Sequence, residues 1–163
     1  YVATQDWRED VRTPGMAAAY RETTHYGLLG ERTRDGDAPT AGTTTYTALL
    51  NTSPVARNRG GGFAVFDAPT ITVDHTTGQV SARFNAVQQS YITGTEPARA
   101  TLVFTGTVTA GGLTGTITSP DTSYTGSFAG DLFGPRAVEL GLVFTLSRPD
   151  GDRAAGRLFG RRR

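Results

Sequence analysis

Alternation of apolar and polar residues with a period of two is the feature that most constrains the fold of this chain. It begins at Thr43 and continues almost to the end of the sequence. In residues 79–85 (QVSARFN), the apolar members are Val80, Ala82 and Phe84. Successive side chains of a β-strand point to opposite faces of the sheet, so such a segment buries one face and leaves the other in water. We therefore expect an all-β domain.

Turn signals divide this alternating region into eight predicted strands. They include the Gly-Gly pair at 111–112 and the PDGD sequence at 149–152. Eight short antiparallel strands can close on themselves and leave no open edge, so we expect an eight-stranded antiparallel β-barrel, with a two-sheet sandwich as the alternative. The predicted strands are residues 43–50, 62–74 with a bend at Pro69, 79–85, 98–109, 113–119, 122–130, 141–147 and 154–160.

Residues 1–41 differ from the rest of the chain because charged residues and loop formers dominate them. We expect an N-terminal arm or small handle-like subdomain there, followed by the barrel at 42–163. Alternation between Tyr20 and Tyr26 predicts one short strand, and residues 16–19 (MAAA) fit one helical turn equally well. The stretch 5–10 (QDWRED) is predicted to be loop.

Composition excludes several classes of function. The formal net charge is only +1, and the closing GRRR sequence is too short for a nucleic-acid-binding stripe, so no nucleic-acid partner is expected. The chain has no Cys, which rules out disulfides and thiolate metal sites. No segment is long and apolar enough for a membrane-spanning helix. The sequence also lacks the common nucleophile, zinc and phosphate-loop motifs, so we expect no enzymatic activity.

Residues 130–144 (GDLFGPRAVELGLVF) interrupt the strand pattern. Pro cannot occupy a central strand, so Gly134-Pro135 should end the ladder, and we expect a turn or short helical plug at 131–140 across one barrel mouth. Leu132, Phe133 and Leu140 are predicted to close that mouth. Glu139 lies among apolar neighbours, and we expect it to accept hydrogen bonds from backbone amides or an Arg because an unpaired buried carboxylate is costly.

The sequence around this interruption resembles the signature of the transferrin-binding-protein-B-like β-barrel family, G-x-F-[FY]-G-P-x-A-x-E-x-G-G-x-F. The resemblance covers roughly residues 42–163 and includes the closing strand AAGRLFGRRR. Two positions depart from the signature: Leu142 replaces the usual second Gly, and Leu132 precedes a single aromatic. The matching residues are Gly130, Phe133, Gly134, Pro135, Ala137, Glu139, Gly141 and Phe144.

What this resemblance implies is an exported Gram-negative binding protein at the outer-membrane surface or in the periplasm. Its expected partners are haem or an iron- or haem-carrying protein, with delivery to an outer-membrane TonB-dependent transporter. Because the chain begins at Tyr1 without Met, we expect the export signal to have been removed, with a lipid anchor on a residue before Tyr1 as one arrangement. A monomer is expected.

Candidate ligand-binding residues lie outside the eight predicted barrel strands. His25 is the expected axial ligand if haem is bound, with Tyr26 or Tyr20 as the next choice, because His and Tyr ligate haem iron. Arg57 and Arg59 could pair with haem propionates. His75 is predicted to be an exposed turn residue without a functional role.

Three other functions make different demands on this fold. A lipocalin-like carrier of a small ligand would need a cavity inside the barrel, and a binder of a host protein such as a complement factor would use the same external loops. A transmembrane barrel would need an apolar outer face. The predicted outer face is polar instead, with Ser81, Arg83, Thr114, Thr116 and Thr145.

Overall fold

The structure is a computed structural model, which describes residues 2–12, 20–49, 56–57, 62–65, 69–89, 99–110 and 112–163. Strands account for most of these residues, and a single 3-10 turn, Pro135–Ala137, is the helical element among them. The strands are β1 (Val2–Arg12), β2 (Tyr20–Gly30), β3 (Thr43–Leu49), β4 (Ala56–Arg57), β5 (Gly62–Val65), β6 (Thr70–Asp74), β7 (Gln79–Gln89), β8 (Arg99–Thr109), β9 (Gly112–Thr118), β10 (Thr125–Phe133), β11 (Glu139–Ser147) and β12 (Arg153–Arg162).

Within the described residues, eight strands close into an antiparallel barrel, which confirms the predicted fold class. Their order around the wall is β11-β10-β9-β8-β7-β6-β3-β12, and β12 then pairs with β11 to complete the circle. Two short strands add to this wall, since β4 pairs with the start of β12 and β5 pairs with the end of β7. Closure leaves no long open edge along the barrel.

Side chains fill the barrel interior. The predicted alternation of β7 is confirmed, because Val80, Ala82 and Phe84 are buried while Ser81 and Arg83 are exposed. Phe104 lies at the centre of an aromatic group, with ring centroids 4.8 Å from Phe84, 5.5 Å from Phe128 and 5.7 Å from Phe144. This packed core occupies the space in which a ligand-carrying barrel would hold its ligand.

Polar residues that the sequence predicted on the outer face of the wall lie there. Thr114, Thr116 and Thr145 are exposed. No helix in the described part of the chain combines the length and apolarity that a membrane span requires.

The predicted strand at 62–74 is divided in two. β5 pairs with the second half of β7, where Val65 faces Ala86, and β6 pairs with the first half, where Val73 faces Val80. The predicted bend at Pro69 therefore falls between two separate strands that share one long neighbour.

The predicted plug at 131–140 is wrong in extent. β10 continues to Phe133 and β11 begins at Glu139, because Leu132 and Leu140 are cross-strand partners that both pack into the core. Two facing leucines favour continuation of the ladder. Only residues 134–138, hereafter the corner, leave the ladder.

The prediction of loop in the first residues is also wrong. β1 and β2 form an antiparallel hairpin of two 11-residue strands, hereafter the arm hairpin. A two-stranded ribbon leaves much of its surface in water, so backbone pairing does not require the apolar-polar alternation by which buried strands are recognised. The predicted short strand between Tyr20 and Tyr26 is present within β2, while residues 16–19 lie outside the described residues.

Candidate functional site at the junction of the arm and the barrel

The base of the arm hairpin packs on the outer face of the barrel at Gly141. A Cβ atom built on Gly141 would lie 3.1 Å from Val2 Cγ2 and 3.2 Å from both Leu28 Cδ2 and Phe133 Cε2. Phe133 is only 4% exposed although it is an outward-facing residue, because the arm covers it. The prediction that Phe133 closes the barrel mouth is therefore wrong: alternation along β10 directs Leu132 inward and Phe133 outward.

Glu139 fastens the first strand of the arm hairpin to the barrel. The backbone amide of Val2 donates a 2.7 Å hydrogen bond to Glu139 Oε2, which confirms the expected amide donor. Burial by itself would raise the pKa of Glu139, but the groups around it, including the Val2 amide and the Arg161 guanidinium, hold this pKa below its usual value. The ionised form of Glu139 is thus the form that this contact favours.

Residues 31–42, hereafter the connection, join the arm hairpin to the barrel and are hydrogen-bonded to the end of β10. The Thr33 amide donates to the carbonyl of Leu132 at 2.9 Å, and the Thr33 hydroxyl donates to the carbonyl of Gly134 at 2.8 Å. In return the Gly134 amide donates to the carbonyl of Glu31 at 2.9 Å. These three bonds, made by Glu31 and Thr33, hold the connection in one register on the barrel.

An ion pair lies beside these bonds. Arg32 Nε contacts Asp131 Oδ2, and the two side chains are 57% and 23% exposed. Arg32 also forms an isolated antiparallel bridge with Phe133. Because the pair is partly exposed to solvent, we expect it to orient the connection more than to stabilise it.

The corner has an unusual backbone. Gly134 has φ of 71°, and Arg136 and Ala137 both have φ of 55°, a left-handed conformation that side chains disfavour. Surrounding bonds hold it in place: the Arg136 amide donates to Asp37 Oδ2 at 2.8 Å, and the Tyr46 hydroxyl donates to the Ala137 carbonyl at 2.8 Å. The strained turn therefore depends on contacts from both the connection and the barrel.

A chain of hydrogen bonds links the corner to His75. Tyr46 donates to Ala137, and Thr44 in turn hydrogen-bonds the Tyr46 hydroxyl. His75 Nε2 lies 2.9 Å from Thr44 Oγ1.

The prediction that His75 is a merely exposed turn residue is therefore corrected. His75 is half-buried, its amide also donates to the Gly42 carbonyl at 2.8 Å, and burial together with the charge of Arg162 lowers its pKa. It fastens the β6–β7 turn to the start of β3.

Two surface cavities flank Arg32 at this junction. One, of about 630 Å³, is polar and lies between the connection and the corner, with Asp35, Asp37 and Pro135 in its lining. The other, of about 460 Å³, lies between the end of β2 and the outer wall and includes Leu29 and Val143. Leu29 is 55% exposed. The junction thus offers both a charged and an apolar surface outside the barrel.

The structure places three predicted site residues on the arm hairpin. His25 is half-buried and is the cross-strand partner of Trp7, so positions 7 and 25 share a face of the hairpin. Tyr26 pairs with Asp6 and Tyr20 with Arg12. By strand alternation positions 20 and 26 lie on the face of the hairpin opposite to that of positions 7 and 25.

The two predicted arginines are not brought together with these residues by any described contact. Arg57 is in β4 and pairs with Ala154 at the start of β12, which is the barrel end opposite the corner. Arg59 lies outside the described residues. Across the described ranges, no cluster of three or more His, Cys, Asp or Glu side chains is arranged to hold a metal ion.

Sequence reasoning missed the residues that build the junction from the arm side. Arg32, Thr33 and Asp37 belong to a charged stretch that has no periodicity, and nothing in that stretch indicates which barrel residues it contacts. The barrel side did carry a signal, since Phe133, Gly134 and Glu139 stood out where the strand pattern was interrupted.

Comparison with solved structures identifies the fold. The chain is similar to transferrin-binding protein B from Haemophilus parasuis Hp5, described as a vaccine antigen, in a single mutant with 20% identity and a TM-score of 0.57, over 88% of this chain and 30% of that one. A double mutant of the same protein gives 17% identity and a TM-score of 0.55 over 98% and 37% of the two chains. The isotype 1 protein from serogroup B Neisseria meningitidis gives 15% identity and a TM-score of 0.50 over 96% and 35%.

This chain therefore spans about a third of the length of those proteins. No family model matches the sequence, and no curated protein is significantly similar to it. At these identities the likeness extends to architecture alone, and it includes the region of the arm because it covers up to 98% of the chain. The chain has the fold of a transferrin-binding-protein-B-like barrel.

Proposed function

We propose that this chain binds an iron-carrying protein through the arm hairpin and the loops at the junction. The observation that carries the proposal is the fold likeness to proteins named for transferrin binding, with a TM-score of 0.57 over 88% of this chain. In the proposed role the protein works at the outer-membrane surface or in the periplasm of a Gram-negative cell, as a non-enzymatic binder. The cargo then passes to a TonB-dependent transporter.

The filled interior supports a binding surface outside the barrel. Phe84, Phe104 and Phe128 pack against one another where a carrier would hold its ligand. This favours a protein partner over the small ligand of a lipocalin-like carrier. The junction offers an exposed apolar side chain, Leu29, in a cavity whose lining also includes Arg32 and Asp131, a composition that suits protein recognition.

A binding measurement with iron-loaded transferrin tests the proposal. The chain is immobilised, and iron-loaded transferrin, iron-free transferrin and a complement regulatory protein are passed over it. We expect binding of transferrin and its loss in Leu29→Asp, which places a charge on the exposed apolar surface. Thr145→Asp, on an exposed part of the wall, is the matched control and should bind normally. Binding of the complement protein alone would replace the proposed partner.

Haem is a second candidate ligand. The observation that favours it is the hairpin register, which puts an imidazole position and an indole position, 25 and 7, opposite each other on one face. Here His25 is the proposed iron ligand, with Tyr26 or Tyr20 as the next choice and Arg57 and Arg59 as the proposed partners of the propionates.

A haem titration followed in the Soret region tests this second candidate. We expect His25→Ala to weaken binding and His75→Ala, which removes the other imidazole, to leave the spectrum of the complex unchanged. Equal spectra for the intact chain and His25→Ala would remove His25 as the ligand. No binding by the intact chain would leave the iron-carrying protein as the proposed ligand.

A further inference from the structure

We infer that the signature residues Phe133, Glu139 and Gly141 are positioning residues for the arm hairpin, and that they set the orientation of the proposed binding surface. None of them belongs to the packed aromatic core. Each instead contacts the arm hairpin or a residue that does. The bearing of this inference on ligand binding rests on the proposed function, whereas docking of the arm is measurable without any ligand.

Gly141 supplies the space for the arm. Along β11 the neighbours Leu140 and Leu142 are buried in the core, so position 141 faces outward. The three atoms that a Cβ would approach, at 3.1 to 3.2 Å, belong to Val2 and Leu28 of the arm and to Phe133 of the wall. A side chain at this position would compete with the arm for the same volume and would leave the barrel interior untouched.

Glu139 supplies the direction. The hydrogen bond from the Val2 amide to Glu139 Oε2, at 2.7 Å, joins the first described residue of β1 to the first residue of β11. Val2 is also the cross-strand partner of Gly30, so the same bond fixes the end of the hairpin at which the connection to the barrel begins. The hydrogen bond to Glu139 lies on one side of Gly141, and the arm packs over Gly141 itself. Together these two contacts fix both the position and the angle of the arm hairpin on the barrel.

Phe133 supplies the apolar floor. It is nearly fully buried under the arm although it faces outward, and its burial depends on Leu28 and Val2 remaining in place. A strand residue selected only for the barrel would be polar here, as Thr145 is on the same outer face. The contact with the arm hairpin therefore accounts for an aromatic residue at position 133.

The test substitutes Gly141 by Val and measures residue-level amide hydrogen exchange in the full chain. Val is favoured in strands over Gly, so β11 and the rest of the barrel should keep their protection, while the crowded arm should lose it. We expect amides of β1 and β2 to exchange at least about tenfold faster. Thr145→Val is the matched control on the same strand and outer face, and should leave exchange in the arm unchanged.

A second set of variants alters the same contacts by changing other residues. Leu28→Ala removes apolar contact from the arm side of the interface without altering any barrel residue. It should also speed exchange in the arm. Glu139→Ala should do so by about five- to tenfold, the size of one net hydrogen bond, and Glu139→Gln should restore only part of the protection because its amide oxygen still accepts from Val2 but carries no charge. Unchanged arm exchange in both Gly141→Val and Leu28→Ala would overturn the inference.

The same variants separate this inference from the proposed function. If Gly141→Val frees the arm and also weakens binding of iron-loaded transferrin, the positioning role extends to recognition. If the arm is freed and transferrin binding is unchanged, the arm is positioned as inferred but is not the recognition surface. Uniformly faster exchange in barrel and arm together would contradict a positioning role, because it would indicate global destabilisation.

Discussion

The Tyr46 hydroxyl donates a 2.8 Å hydrogen bond to the carbonyl oxygen of Ala137, across 91 positions of sequence. Tyr46 is in the first strand of the barrel, and Ala137 is in the corner that precedes β11. Both residues are fully buried. One bond therefore joins the start of the barrel to its most strained turn and helps to close the mouth beside the arm.

Removing the Tyr46 hydroxyl should destabilise the fold. In Tyr46→Phe the Ala137 carbonyl loses its donor in a buried site, and we expect the free energy of unfolding to fall by about 1–2 kcal/mol. The urea midpoint at an unchanged m-value measures this loss. Thr145→Val, which removes an exposed hydroxyl, should change the midpoint little. Equal midpoints for Tyr46→Phe and the unmodified chain would show that the bond is not stabilising.

The same burial predicts a dependence of stability on alkaline pH. Burial raises the pKa of Tyr46 to about 12, against the opposing effects of Arg162 and Thr44. Since the folded pKa lies above the ordinary value, the contribution of neutral Tyr46 is complete below pH 10 and is lost as the pH rises towards 12. Unfolding midpoints measured across this range should fall, and should fall less in Tyr46→Phe. A parallel decline in both proteins would assign the effect to other groups.

The sequence predicted the barrel well because its interior enforces a regular pattern. A wall that is packed on one side and wet on the other must alternate, and β7 does so from Val80 to Phe84. The position at which β10 ends was not predicted correctly. Pro135 indicates a break in the ladder, but the facing pair Leu132 and Leu140 extends the ladder to the residue before Gly134.

The junction was predictable only in part. Glu139 was recognised as a residue that needs a donor, but the identity of that donor, the amide of Val2, depends on how the hairpin folds back on the barrel. β1 carries no alternating pattern, so its pairing with β2 could not be inferred from the spacing of its residues. Gly141 likewise matched a signature without any sign that its role is to leave room for Leu28.

Acid should loosen the arm hairpin. The pKa of Glu139 in the docked arrangement is below its usual value of 4.5. The contribution of ionised Glu139 to docking is therefore complete above that usual value and is lost as the pH falls through the lowered pKa. Hydrogen exchange or limited proteolysis of the arm from neutral to acidic pH measures this change. Glu139→Gln should show a flatter profile, and an identical profile would contradict the assignment to Glu139.

Relieving the strain at Arg136 should stabilise the chain. Arg136 is exposed and has φ of 55° and ψ of 28°, a conformation that Gly adopts at lower cost. We expect Arg136→Gly to raise the free energy of unfolding by about 0.5–1 kcal/mol. Arg83→Gly is the matched control, since Arg83 is an exposed residue inside β7, where Gly should lower stability by a similar amount. A loss of stability in both variants would show that the Arg136 side chain matters more than its backbone.

Replacing Gly134 should have the opposite effect. Gly134 has φ of 71° immediately before Pro135, and both its amide and its carbonyl are bonded to the connection. A β-branched residue adopts this conformation poorly, so we expect Gly134→Val to lower the free energy of unfolding by about 1–3 kcal/mol. Because the bonds of Gly134 to Glu31 and to the Thr33 hydroxyl hold the connection beside Leu132, exchange of the Thr33 amide, which donates to the Leu132 carbonyl, should also accelerate. An unchanged urea midpoint would show that the corner can be rebuilt around a side chain without cost.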